Sequence, residues 1–152
     1  MFPRREKNTW AGICLKKCLV DSGPLYALFD KDDKYHEIAK GTISKKRFIL
    51  CTTWPVLTEV AHLLSFNVQS QIGFMQWVER GALQIFDIRS SDIKRIIELS
   101  IKYSDLPMDL ADASLVTISE RESIKTIFSF DSDFSIYRYR KGSFTNIYRP
   151  QQ

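Results

Sequence analysis

Cys18-Leu19-Val20-Asp21 is a short apolar run that stops on an aspartate and passes straight into Ser22-Gly23-Pro24, residues that open turns and helices. A run this brief and this apolar reads as a buried strand, delivering the aspartate at its carboxyl end. The same hand-over recurs down the chain. Phe48-Ile49-Leu50-Cys51-Thr52 leads into Thr53-Trp54-Pro55, residues 83–88 lead into Ser90-Ser91-Asp92, and residues 126–130 lead into Asp131. A weaker strand is predicted over residues 144–148.

Helical spacing fills the intervals. Helices are predicted over residues 25–29 and 32–40, and from Thr53 along the stripe Val56, Leu57, Val60, Ala61, Leu63 and Leu64. Others follow over 68–80, stopped by Gly81, after Ser90 with the apolar face Ile93, Ile96, Ile97 and Ile101, and over 108–122. Short strands alternating with helices predict an α/β three-layer domain with a short, mainly parallel sheet between helices. Residues 1–15 carry no clear periodicity and read as an N-terminal arm, leaving 16–152 as one domain. In such folds ligands bind outside the carboxyl ends of the strands.

That rule gives the acids their meaning. Asp21 follows the first strand, and Asp131 and Asp133 follow the strand at 126–130. Asp109 and Asp112, three apart near a helix start, share a face. Glu59 lies in the first turns of the helix after the second strand. Two negative charges about 4 Å apart repel by roughly 4 kcal/mol at an effective dielectric near 20. A gathering of them must take up protons or hold a cation, and a hard divalent ion such as Mg²⁺ or Mn²⁺ suits carboxylate oxygens. Such an ion polarises a phosphodiester and activates water. Lys and Arg number 22 against 18 Asp and Glu, so gathering the acids leaves a more basic surround, which suits a polyanion. Taken singly, each acid has a plainer reading as a turn, cap or solvated helix residue.

Other chemistries find little support. The three cysteines, Cys14, Cys18 and Cys51, are odd in number and lack the further Cys/His ligands of a zinc site. The basic start has no signal-peptide core and no apolar run approaches the ~20 residues of a membrane span, so a cytoplasmic protein with reduced thiols is expected. Glu59-x-x-His62 is half of a di-iron motif without its second half. Asp131-Ser132-Asp133 resembles the aspartyl-phosphate motif of haloacid-dehalogenase-type phosphatases only superficially, because too little chain follows it. The aromatics Trp54, Trp77, Phe130, Phe134, Tyr137, Tyr139 and Tyr148 admit a base-stacking reading beside a core or dimer-interface one. Arg138-Tyr139-Arg140-Lys141 alternates basic and aromatic residues beside the predicted acids and reads either as a patch facing a polyanion such as RNA or as a merely solvated basic loop.

Four segments together resemble the PIN-domain nucleases, especially the toxin nucleases of bacterial VapBC-type toxin–antitoxin pairs. They are Leu19-Val20-Asp21-Ser22-Gly23-Pro24-Leu25, Thr58-Glu59-Val60, the stretch from Met108-Asp109-Leu110-Ala111-Asp112 to Val116, and Phe128-Ser129-Phe130-Asp131-Ser132-Asp133-Phe134. The resemblance spans roughly residues 17 to 148. It implies a PIN-like fold and cleavage of single-stranded RNA with Mg²⁺ or Mn²⁺. It also implies a homodimer and inhibition by a small antitoxin. It makes Asp21, Glu59, Asp112 and Asp131 the catalytic, metal-holding acids, with Asp109 and Asp133 secondary, and gives Ser129 a part in holding water or phosphate. Asp131 would ligate a second ion or orient the attacking water. The alternatives are an inactive PIN-like binding module and an RNA-processing nuclease without an antitoxin.

Overall fold

The computed structural model describes residues 14–106, 108–140 and 142–150. Most of the N-terminal arm, and Lys141 of the basic tract, therefore lie outside the described residues.

Strand β1 (Lys16–Val20) is followed by helices α1 (Ser22–Phe29) and α2 (His36–Ser44), then by β2 (Phe48–Thr53) and α3 (Trp54–Leu63). Helix α4 (Val68–Glu79), strand β3 (Gln84–Phe86), and helices α5 (Ile93–Lys102) and α6 (Leu110–Glu122) come next. Strand β4 (Thr126–Phe128) is followed by three two-residue strands, β5 (Arg138–Tyr139), β6 (Gly142–Ser143) and β7 (Thr145–Asn146). Five strands form one sheet in the order β3-β2-β1-β4-β7, and every pairing in it is parallel. Helices flank this sheet, α5 packing on α6 and α6 on α3, with α1 against α2 and α4. The three-layer α/β/α arrangement predicted from the alternation is the one the chain adopts. None of the described helices is long and apolar enough to cross a membrane.

Strand β1 is central because it is apolar on both faces: Cys18, Leu19 and Val20 are all fully buried. Cys18 pairs with Leu50 and Leu19 with Cys51, so the two cysteines, one residue out of step, point to opposite faces of the sheet. Both are free thiols, and burial pushes Cys18 up to about 12 and Cys51 to about 11. Helix α6 is buried from Ala111 through Ser119, and its hydroxyls cause no penalty because Ser114, Thr117 and Ser119 donate back to carbonyls of their own helix.

Several boundaries differ from expectation for local reasons. The helix predicted over 32–40 starts at His36 and runs to Ser44. The Asp30 and Asp33 carboxylates accept from the Asp32 and Tyr35 N–H groups, holding this stretch in turns. The strand at 126–130 ends at Phe128, since Ser129 N–H turns to the Asn146 side chain and Asp131 N–H to Ser129 Oγ. The strands at 83–88 and 144–148 shrink to Gln84–Phe86 and Thr145–Asn146. The small β5–β6 hairpin has no counterpart in the sequence reading. Gly81 ends α4 as expected, with φ +80 and its N–H on Val78 O.

Candidate functional site

Parallel neighbours β1 and β4 end together, and the Asp21 N–H donates to Phe128 O across them at 3.0 Å. Asp21 and the Ser129–Asp133 loop therefore emerge at one edge of the sheet. Asp21 is 5% exposed and caps α1: its Oδ1 accepts from Ser22 N–H at 2.8 Å, and its Oδ2 accepts from Ser129 Oγ at 2.7 Å. Burial raises the carboxyl to about 6; those two hydrogen bonds oppose the rise, and the charges of Glu59 and Asp131 add to it.

Asp112, on the first turn of α6, is also buried. Its carboxyl is pushed up to about 8, first by burial and then by the charges of Asp21, Asp109 and Asp131. The Tyr137 hydroxyl donates to Asp112 Oδ2 at 3.3 Å and works the other way. Asp109 is exposed and caps α6 through Oδ1, which accepts from Asp112 N–H at 2.8 Å. Asp131 is exposed and caps the 3₁₀ turn Ser132–Ser135, its Oδ1 accepting from Asp133 N–H at 2.9 Å. Asp133 is raised by burial and by Asp131. Glu59, half-buried on α3, makes itself felt through its charge on Asp21.

The predicted acids thus share one electrostatic neighbourhood, deepest at Asp21 and Asp112 and opening outward through Glu59, Asp131 and Asp109. Among the described residues, no three or more His, Cys, Asp or Glu side chains are drawn together tightly enough to hold an ion as they stand. The donor chemistry nevertheless suits a hard divalent cation. Every candidate ligand is a carboxylate oxygen, and burial raises two of them, Asp21 to about 6 and Asp112 to about 8, a cost that a neighbouring cation would offset. Mg²⁺ is commonly held by one or two carboxylates with water completing the shell, so Asp21 and Asp112 are the natural pair.

Some of the supporting residues escape a reading of the sequence. Asn146 clamps Ser129 from both sides, accepting from its N–H at 3.2 Å and donating to its carbonyl at 2.9 Å. Thr53 and Ser114, both buried, join hydroxyls at 2.6 Å and tie the end of β2 to α6. Tyr137, named from the sequence only as an aromatic, reaches Asp112. Nothing short-range announces any of these partners.

The basic tract is placed differently from a free patch. Arg138 Nη1 donates to the carbonyls of Ser135 and Ile136, each at 2.7 Å. Arg140 reaches Glu120 O and Ser123 Oγ at the end of α6, with its guanidinium over the Tyr139 ring. Both side chains clip main-chain groups.

Comparison with known proteins agrees with this architecture. The PIN domain family, as a sequence model, matches residues 18–139. Ribonuclease VapC26 of Mycobacterium tuberculosis is 23% identical over 115 residues, 74% of this chain and 85% of that protein. Among solved structures, the Mycobacterium tuberculosis VapC20, described as a Sarcin-Ricin loop cleaving toxin, superposes with a TM-score of 0.72 at 19% identity, over 78% of this chain and 93% of its own. A toxin–antitoxin complex from Klebsiella pneumoniae gives 0.58 at 17% identity, over 76% and 87%. VapBC2 from Rickettsia felis, bound to a DNA fragment from its promoter, gives 0.61 at 13% identity, over 86% and 98%.

Proposed function

Since the chain belongs to the PIN-domain family, we propose that it is a metal-dependent endoribonuclease that hydrolyses RNA phosphodiester bonds and serves as the toxin of a toxin–antitoxin pair. The observation that carries this reading is the gathering of buried Asp21 and Asp112 at the carboxyl edge of a parallel sheet, with Ser129 Oγ joining Asp21 to the Asp131 main chain and the charges of Glu59 and Asp131 reaching the buried acids. The toxin role is supported by the likeness to VapC26 and to the VapC structures.

Asp21 and Asp112 would hold Mg²⁺ or Mn²⁺, with Glu59 and Asp131 contributing directly or through water. The ion supplies polarisation of the scissile phosphate and a lowered pKa for bound water. The protein's own groups set the geometry. Ser22 N–H and Ser129 Oγ fix both oxygens of Asp21, and Tyr137 fixes one oxygen of Asp112. Asp131 commits Oδ1 to Asp133 N–H, and its Oδ2, which has no donor among the described residues, would ligate a second ion or orient the attacking water. Asp109 and Asp133 act as secondary acids that add field at the rim.

An antitoxin needs an apolar surface to grip, and Phe66, Val68, Ile72 and Met75 are exposed around the start and middle of α4. The chain acts as a homodimer in this reading. The test is incubation of purified protein with a mixed RNA pool, in Mn²⁺ or in chelator, beside Asp21→Asn and Asp112→Asn. Cleavage that needs metal and disappears in both variants is the expected result; intact RNA throughout would sink the nuclease. Coexpression with the product of a neighbouring small reading frame, followed by loss of cleavage, tests the toxin role.

A further inference from the structure

Three half-buried rings from distant parts of the chain meet beside the acids. Tyr35 precedes α2, Phe130 follows β4 and Tyr148 follows β7. Tyr35 and Phe130 stack with centroids 4.3 Å apart and planes 19° apart. Tyr148 stands edge-on to both, 4.8 Å from Phe130 and 6.0 Å from Tyr35. Phe130 also meets Phe128 edge-on at 5.3 Å, and a Cβ on Gly23 in the first turn of α1 would lie 3.7 Å from the Phe130 ring. The cluster is thus fixed from below by the strand and from one side by α1.

Its position matters. Phe130 lies in the chain between Ser129, which holds Asp21, and Asp131, and consecutive Cα atoms are about 3.8 Å apart. A base next to a phosphate held at the acids would lie within reach of the loop that carries Phe130. Lys34 Nζ lies over the Tyr35 ring itself, 4.8 Å from its centre, where an incoming base would displace this exposed side chain, and Arg149 is exposed next to Tyr148, so cations stand at the aromatic surface. Phe130 and Tyr148 pack against the core on one side, yet unlike the closed-off Phe128, Phe134 and Tyr137 they and Tyr35 keep part of their surface open to solvent. Aromatic surface flanked by cations is the combination that binds single-stranded nucleic acid, because every base has a π-face and every linkage a charge.

We propose that Tyr35, Phe130 and Tyr148 form a stacking subsite for an unpaired nucleobase of single-stranded RNA next to the scissile linkage. The subsite rests on the ribonuclease reading and adds to it the side chains that would engage an unstacked base. Pre-assembled rings lose little freedom on binding, which favours affinity.

The test is fluorescence anisotropy in chelator, which separates binding from cleavage. The probes are an end-labelled single-stranded oligoribonucleotide, its fully paired duplex and an abasic ribose-phosphate chain of the same length. Tyr35→Leu and Tyr148→Leu, verified as folded by their melting temperatures, are expected to weaken binding of the single strand at least about fivefold. Binding of the abasic chain should be unchanged, and Tyr148→Phe should match the wild type. Phe130→Leu carries the same expectation and is read beside these two because it also touches Phe128. Any of three results overturns the subsite: single-strand affinity unmoved in folded variants, equal losses on the abasic chain, or a wild type that binds the duplex or the abasic chain as well as the single strand. Cleavage by the wild type in Mn²⁺ is scored separately: its absence with base-dependent binding intact would count against the nuclease alone.

Discussion

Ser129 Oγ donates to Asp21 Oδ2 at 2.7 Å while itself accepting from the Asp131 N–H at 3.0 Å. One small buried residue therefore joins the acid after β1 to the acid after β4, 108 positions separating Ser129 from Asp21. Ser129→Ala removes the donor and leaves a buried carboxylate oxygen unsatisfied. The expected loss is on the order of 1–3 kcal/mol of stability, measured by urea unfolding near neutral pH. Cleavage should fall as well, because Asp21 loses an interaction that favours its ionised form. A variant as stable and active as the wild type would refute the bridge.

Asp112 makes metal-free stability depend on pH. Its folded carboxyl, at about 8, lies above the value of 3.8 expected when it is exposed. Between those limits the folded state holds more protons than the unfolded one, so stability is greatest at the acid end and falls as pH rises through the window. Asp21, at about 6, adds to the fall over its lower half. The chelated protein should lose on the order of a few kcal/mol across this range. Asp112→Asn should flatten the fall and outlast the wild type near the alkaline end, while Mn²⁺ should restore the wild type there. Thermal melts in chelator that do not vary with pH would contradict this.

Tyr137→Phe isolates a single hydroxyl. The ring keeps its edge-on neighbours Tyr103 and Phe134, so the stability change should stay near about 1 kcal/mol. Asp112, deprived of its donor, ionises less readily. The acidic limb of the cleavage pH profile should then move to higher pH, with weaker Mn²⁺ affinity. An unshifted limb would show that the 3.3 Å contact does not orient the acid.

Arg138 distinguishes a clip from a contact. Its guanidinium is already held by the carbonyls of Ser135, Ile136 and Tyr137, so Arg138→Gln should lower the melting temperature while leaving the salt dependence of RNA binding nearly unchanged. A residue that neutralises a phosphate behaves oppositely: its loss flattens the slope by roughly one charge and spares the fold. A flatter slope with unaltered melting would return Arg138 to the RNA surface.

What the sequence made legible is what local chemistry governs. An apolar run stopping on Asp21, and two acids three apart at the start of α6, follow from periodicity and from which residues begin helices. The alternation of strand and helix then requires parallel pairing, and the rim position of the acids follows from the carboxyl-edge rule. Functions set by partners far along the chain stayed hidden. Tyr137 meets Asp112 across 25 residues and Asn146 holds Ser129 across 17, and neither pair leaves a mark on its neighbours. Turns built by side chains were likewise missed, since Asp30 and Asp33 look helix-compatible until their carboxylates are seen on backbone N–H groups. Asp109 was legible as an acid of the site, whereas its engagement with Asp112 N–H was not.

Three of the acids also begin a helical segment: Asp21 starts α1, Asp109 starts α6 and Asp131 starts the 3₁₀ turn. Alanine scanning would therefore confuse two lesions at these positions, a vanished charge and an unravelled first turn, the second costing about 1 kcal/mol by itself. Asparagine starts helices as well as aspartate does and cannot ionise. In this architecture, the amide series alone can tell a silenced site from a damaged scaffold.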